Sequence, residues 1–248
     1  NVGKYFLLHH HGNCGIGLAK FTEIKETLNP DYNTEDAYFL APTEKFLFEK
    51  NVNNCAVRIM EYTNISKDKE FIRDLICISP KIGEGILRLF GEKETCSGIK
   101  LFSAWEQNSK YDNEIMLSKV NSDVIGIPKV VVKSNFGVKT KKNLSIFLNY
   151  LSGYFVDLGL GSIGINNELL ENNSIFSEKF YSGNHHMGGT RIGNSSKSVV
   201  DNNLKVHNSK NLFVVGSSVF ASSGHANPTF TICQLSLKLG DHLAKNYI

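Results

Sequence analysis

Two short segments in the last quarter of the chain combine residue types that can move a proton. The first is His185-His186-Met187-Gly188-Gly189-Thr190-Arg191, the second Gly224-His225-Ala226-Asn227-Pro228-Thr229. An imidazole titrates near neutral pH, so His186 suits the removal of a proton from an alcohol. Gly188-Gly189 let the backbone turn tightly beside it. Asn227-Pro228 reads as a helix opening, because asparagine is a favoured cap and proline suits the first helical position. A helix start offers free N–H groups and partial positive charge, which stabilise an anion placed against it. On residues alone, a histidine in such a place serves structure more often than chemistry. If the Asn227 side chain caps its helix, it cannot also face a substrate; the reading adopted here is the substrate-facing one.

The elements that must position these groups follow from periodicity. Leu212–Val215 reads as a short buried strand, and Pro228–Lys245 as a helix carrying Ile232, Leu235 and Leu239. Upstream, the period over 99–106 is two: Ile99, Leu101, Ser103 and Trp105 alternate with Lys100, Phe102, Ala104 and Glu106. Further strands are expected at Glu114–Ser118 and Lys129–Ser134, with Asn121, Ser122, Asp123 and Gly126 supplying the turn. Residues 141–158 return to helix, with Leu144, Phe147, Leu151, Tyr154 and Leu158 on one stripe. A second helical pattern covers 68–90, broken near Pro80. Residues 1–43, rich in Gly, His and Asn, read as loop with short extended pieces. The fold class expected is α+β. An antiparallel sheet backed by helices fills 1–180, and 181–248 ends in a strand–loop–helix unit from another layer.

Bulk properties exclude several functions. The 248 residues carry a net charge of +3 with no dense Lys/Arg cluster, which argues against nucleic acid. No run of about 18 apolar residues suggests a membrane span. The chain opens on Asn1 without a signal-peptide pattern, so the expectation is a true N-terminus upstream and an unread compartment. Cys14, Cys55, Cys77, Cys96 and Cys233 are odd in number and scattered, and read as buried free thiols. His9-His10-His11 is not expected to bind metal, because adjacent side chains diverge along a backbone and no paired carboxylate is near. No GxSxG elbow supports a serine hydrolase. Gly159-Leu160-Gly161-Ser162-Ile163-Gly164 matches GxGxxG, but a helical segment precedes it where a dinucleotide site needs a strand. A helix C-terminus with a glycine cap is the better reading.

The His185–Arg191 motif, then Val199-Val200-Asp201, Asn211-Leu212-Phe213-Val214-Val215-Gly216-Ser217-Ser218-Val219-Phe220 and Ala226-Asn227-Pro228-Thr229, together resemble the C-terminal signature of the glucose–methanol–choline (GMC) oxidoreductases. Order and separation (227 − 186 = 41 positions) agree. Fainter echoes are Asn1-Val2-Gly3-Lys4-Tyr5-Phe6 with His9, then Glu106-Gln107, Leu117-Ser118, Asp123 and Gly126-Ile127-Pro128, while residues 20–95 are largely unmatched. The resemblance implies FAD-dependent oxidation of an alcohol, with His186 as the base and Asn227 bonded to the substrate oxygen. It implies that Gly216 and Ser217 approach the cofactor through their backbone and that Pro228 and Thr229 lie near the isoalloxazine. A reduced flavin, negative on its pyrimidine side, suits the helix start at Asn227-Pro228. The motif form looks more like sugar- and polyol-acting relatives than the choline branch.

The sequence departs from that family in three places. Ile192 stands where the family commonly has Met, and His225 is an unusual neighbour of Asn227, either a second acid–base group or a loop histidine. The role of His185 is likewise open. Above all, nothing in residues 1–60 supplies the strand–GxGxxG–helix that binds the ADP part of FAD. The expectation is a C-terminal fragment: a substrate-binding domain over 1–180 and the closing part of the FAD domain over 181–248, inactive alone. Its partners would be an alcohol or sugar, an electron acceptor (oxygen, quinone or cytochrome) and the missing FAD-binding half. The alternative is a non-catalytic partner-binding subunit or a degenerate domain without a cofactor of its own.

Overall fold

A computed structural model describes residues 1–19, 37–61, 97–135, 137–171 and 180–247. In chain order the elements are β1 (His9–Ala19), β2 (Ala37–Leu40), α1 (Glu44–Lys50), β3 (Cys55–Glu61), β4 (Ser97–Glu106), β5 (Glu114–Ser122), β6 (Pro128–Lys133), α2 (Gly137–Asp157), β7 (Gly161–Ile165), α3 (Asn167–Leu170), β8 (Phe180–Tyr181), a 3-10 turn (Ser217–Val219) and α4 (Thr229–Asn246). The architecture is thus mixed helix and antiparallel sheet. Two compact units emerge, one of Asn1–His10, Trp105–Thr140 and Tyr181–Ile248, the other of His11–Ala104 and Lys141–Phe180. The helical pattern read over 68–90 lies outside the described residues.

The second unit holds most of a sheet ordered β2-β3-β4-β1-β7, with β8 also beside β1. β1 runs antiparallel to β7 from Gly15 opposite Ile165 to Ala19 opposite Gly161, and β2 antiparallel to β3. The alternation read over β4 is borne out: Ile99, Leu101, Ser103 and Trp105 are each no more than 1% exposed. The loop reading of 1–43 is corrected at β1, an eleven-residue strand inside the sheet. Its glycines, which read as turn chemistry, are close approaches instead. A Cβ on Gly15 would sit 2.6 Å from the Gly164 carbonyl oxygen, and one on Gly17 2.3 Å from that of Ser162.

On α2, Leu144, Leu148, Leu151 and Phe155 are buried, each 5% exposed or less, whereas Tyr154 and Leu158 are 46% and 47% exposed. The core stripe therefore lies slightly round the helix from the one read, with Phe147 at its border. Leu158 falls past the helix end, where Gly159 turns the chain with φ +66°. Gly161–Ile165 then forms β7, so the GxGxxG match has a helix before it and a strand after it, the reverse of a dinucleotide site.

In the first unit β5 and β6 form the expected antiparallel hairpin. Its turn is held by Asp123 Oδ1, which accepts the N–H groups of Ile125 and Ile127, both at 2.9 Å. The C-terminal part is organised round Val199, Val200, Leu204, Val219 and Leu239. Leu212–Val215 is not a buried strand: its one bridge joins Phe213 to Lys205, and Leu212 and Val215 are 55% and 38% exposed. An apolar run becomes a strand only where a neighbour completes its ladder, and among the described residues only Phe213 has one.

Candidate active site

The site motif is a strand-like segment gripped on both edges. On one side Leu7 N–H donates to the Met187 carbonyl at 2.8 Å, Met187 N–H donates back to Leu7 at 2.9 Å, and Gly3 N–H donates to the Gly189 carbonyl at 2.7 Å. Leu7 and Met187, no more than 1% exposed, anchor this pairing in the core. The Gly3–Phe6 stretch is itself fixed to the hairpin base, through Ile115 N–H on the Gly3 carbonyl (2.8 Å) and Phe6 N–H on that of Asn113 (2.9 Å). Gly188 is required where the segments meet. Its φ is +75°, and a Cβ there would lie 2.2 Å from the Tyr5 carbonyl oxygen.

On the other edge, the N–H groups of Gly188, Thr190 and Ile192 donate to the carbonyls of Ser217, Ser218 and Val219 at 3.1, 2.9 and 2.8 Å. The Ser217 hydroxyl donates to the His186 carbonyl at 2.8 Å. Two sequence-predicted site residues, His186 and Ser217, are thereby brought together. The His186 side chain is exposed, with its ring stacked on Phe6 at 5.8 Å between centroids and 19° between planes. Arg191 lies over the Tyr5 ring at 4.9 Å and donates to the Ser109 hydroxyl at 3.3 Å.

The second motif is tethered through Gln107. This fully buried residue accepts the Leu8 N–H on Oε1 at 2.8 Å and donates from Nε2 to the Asn135 carbonyl at 3.3 Å. Its own N–H donates to Ser223 Oγ at 3.3 Å, four residues before Asn227. Beyond Ser223 the chain exposes Asn227, buries Pro228 and exposes Thr229. The helix opening shifts by one residue from the sequence reading. Pro228 is the cap, at φ −76° and ψ −16°, with its carbonyl accepting Ile232 N–H at 3.0 Å. No side chain caps α4, so Asn227 is not spent on the helix, and the conflict between capping and facing a substrate disappears.

Two histidines here are held neutral. Burial lowers the pKa of the half-buried His225 below the ordinary 6.5. His185 is lowered by burial first and by the neighbouring His186 second. The buried-thiol reading holds for Cys14 and Cys55 and fails for Cys233, exposed on α4 because it stands off the Leu235–Leu239 face.

The sequence reading missed two residues. Gln107 carried a signal, because the buried odd-numbered phase of β4 runs on to it through Trp105. His9 offered only an echo of the family, and nothing signalled its partner: its Nε2 hydrogen-bonds Nδ1 of His185, 176 positions away in sequence.

Gly216 and the α4 start both leave backbone open. Gly216 has φ +129°, open to glycine almost alone, and no atom lies within 4 Å of where its Cβ would stand. At α4 the first-turn N–H groups have no side-chain cap.

A sequence model of the C-terminal region of GMC oxidoreductases matches residues 164–236. The fructose dehydrogenase large subunit of Gluconobacter japonicus is 30% identical over 165 residues, 66% of this chain and 27% of that protein. Among solved structures, pyridoxine 4-oxidase from Mesorbium loti superposes with a TM-score of 0.54 at 12% identity, over 100% of this chain and 44% of that one. The second likeness speaks to fold alone. The chain thus spans about a quarter of the curated relative and less than half of the solved one.

Proposed function

We propose that the chain, whose residues 164–236 match the GMC oxidoreductase C-terminal model, contributes the substrate-side half of an FAD-dependent enzyme oxidising an alcohol, sugar or polyol. The observation carrying this reading is the hydrogen bonding of the His185–Arg191 segment to Ser217–Val219, which joins two motifs distant in sequence at one place. When bound, FAD supplies the two-electron acceptor for the hydride that leaves the substrate carbon.

The chain's own residues do the rest. His186 takes the hydroxyl proton, and the resulting alkoxide expels hydride far more readily than the alcohol does. Asn227, exposed and uncommitted to the helix cap, donates its amide N–H to the same oxygen and stabilises the charge developing there. The Gly216 and Ser217 backbone lines the cofactor's approach. Pro228 and Thr229 set the α4 start against its electron-rich edge. Residues 1–180 would form the substrate-binding domain and 181–248 the closing part of the FAD domain. The FAD-binding half and the electron acceptor (oxygen, quinone or cytochrome) would come from outside this chain.

The test is turnover of CH–OH donors by the complete flavoenzyme. His186→Ala should lower kcat by about 100- to 10,000-fold. Unchanged turnover would refute the catalytic reading and favour a non-catalytic partner-binding subunit. In the same reading the 248-residue chain purifies without stoichiometric flavin; a yellow chain with one FAD bound would contradict it.

A further inference from the structure

We infer that His9 is a positioning residue for the catalytic segment: bonded ring to ring with His185, it fixes that imidazole and the backbone that carries His186. The inference rests on the alcohol-oxidation reading. Its geometry comes from side-chain contact beside a backbone anchor. Leu7 and Met187 form an isolated bridge and exchange both N–H···O bonds. His9 lies two residues after Leu7 and His185 two residues before Met187, so the anchor holds the two histidines near each other. Their rings meet edge to face, 4.5 Å between centroids and 61° between planes, with His9 Nε2 bonded to His185 Nδ1. His9 is fully buried and cannot drift.

A bond between two ring nitrogens needs one donor and one acceptor. With both rings neutral it selects one tautomer of His185, and it bars an imidazolium at both rings at once. That matters because His186 is the next residue: a charge on His185 would disfavour the proton His186 must accept, and His186 already depresses His185 in return. Held by His9, the His185 ring keeps one orientation beside His186. The other titratable groups nearby are His10, whose ring lies 5.3 Å from that of Trp105, and His11, next on the same face of β1. Burial is the larger cause that depresses His185, and His186 the smaller.

The experiment uses the complete flavoenzyme with His9→Phe, His9→Gln and His186→Ala. Phenylalanine keeps a ring but loses both nitrogens, while glutamine keeps a donor and an acceptor. We expect His9→Phe to lower kcat, up to about 100-fold for a misplacement near 1 Å, with KM little changed, and His9→Gln to restore it. Independently of turnover, 15N spectra of the imidazoles should show one His185 tautomer in the wild type, a mixture in His9→Phe and one again in His9→Gln. Loss of kcat without rescue by glutamine, or an unchanged kcat and tautomer in His9→Phe, overturns the inference while leaving His186 as the base. A tautomeric mixture in the unmutated protein overturns it even if His9→Phe does not fold. If His186→Ala retains full turnover, the alcohol-oxidation reading itself fails.

Discussion

Gly188→Ala and Gly189→Ala are neighbouring, chemically identical changes that should differ sharply. Both positions have positive φ, +75° and +92°, so each alanine costs about 1–2 kcal/mol in backbone strain. Only at Gly188 is there also a collision, since the new Cβ lands 2.2 Å from the Tyr5 carbonyl oxygen; at Gly189 the nearest atom is the Gly3 Cα at 3.8 Å, an ordinary contact. Tyr5 cannot yield freely, because two residues on Leu7 exchanges both its bonds with Met187. Forcing the segments apart adds about 1–3 kcal/mol, so Gly188→Ala should lose about 2–5 kcal/mol in total, against 5–15 for a typical domain. Urea unfolding is the assay, followed by the fluorescence of Trp105, the sole tryptophan, buried at 1% exposure in the same unit. Equal losses for the two variants would refute the claim that backbone contact, rather than φ alone, dictates the glycine.

Other outcomes follow from the same structure. Gln107→Ala should cost about 1–3 kcal/mol for the buried Leu8 N–H left without its acceptor, measured by the same unfolding; a loss below experimental error would mean that water or a neighbour replaces the amide. With the pKa values of His185 and His225 lowered in the fold, the unfolded chain takes up protons first as pH falls. Stability should be full above the unfolded value near 6.5 and decline as pH drops through the folded values; denaturation midpoints rising toward pH 5 would reverse the sign. Among the described cysteines, Cys233 should label in the native protein while Cys14 and Cys55 stay protected. Burial pushes the Cys55 thiol up to about 12 and Cys14 higher still, so site-resolved mass spectrometry finding native labelling of either would contradict their burial.

What the sequence disclosed and what it hid divide along physical lines. The β4 strand was legible because one face is buried and the other is not, and a period of two records that directly. The hairpin was legible from its turn, whose Asp123 carboxylate performs the bonding its residue type suggests. β1 was not, because its glycines answer to strands packed against them, and composition cannot separate a tight approach from a turn. The His186 and Asn227 motifs could be picked out by residue type and order, and the tie between His186 and Ser217 accords with that order. The His9–His185 pair could not, since contact is a property of two segments and neither contains it. Leu212–Val215 failed for a related reason: its apolar run names a strand without naming the partner that would cover it.

The bridge between Leu7 and Met187 also bears on how this protein is made. It closes a loop of 180 residues (187 − 7), an entropic cost growing as (3/2)RT ln n, about 4–5 kcal/mol before any constant term. The turn at Ser217–Val219 that grips the other edge of the motif is later still in the chain. During synthesis from the N-terminus, residues 3–9 must wait for their partners while nearly all of the remaining chain emerges, their apolar Phe6, Leu7 and Leu8 uncovered in the meantime. The His185–Arg191 segment can therefore settle only after Ser217–Val219 has emerged, and the hazard of misassembly falls on the stretch that supports it.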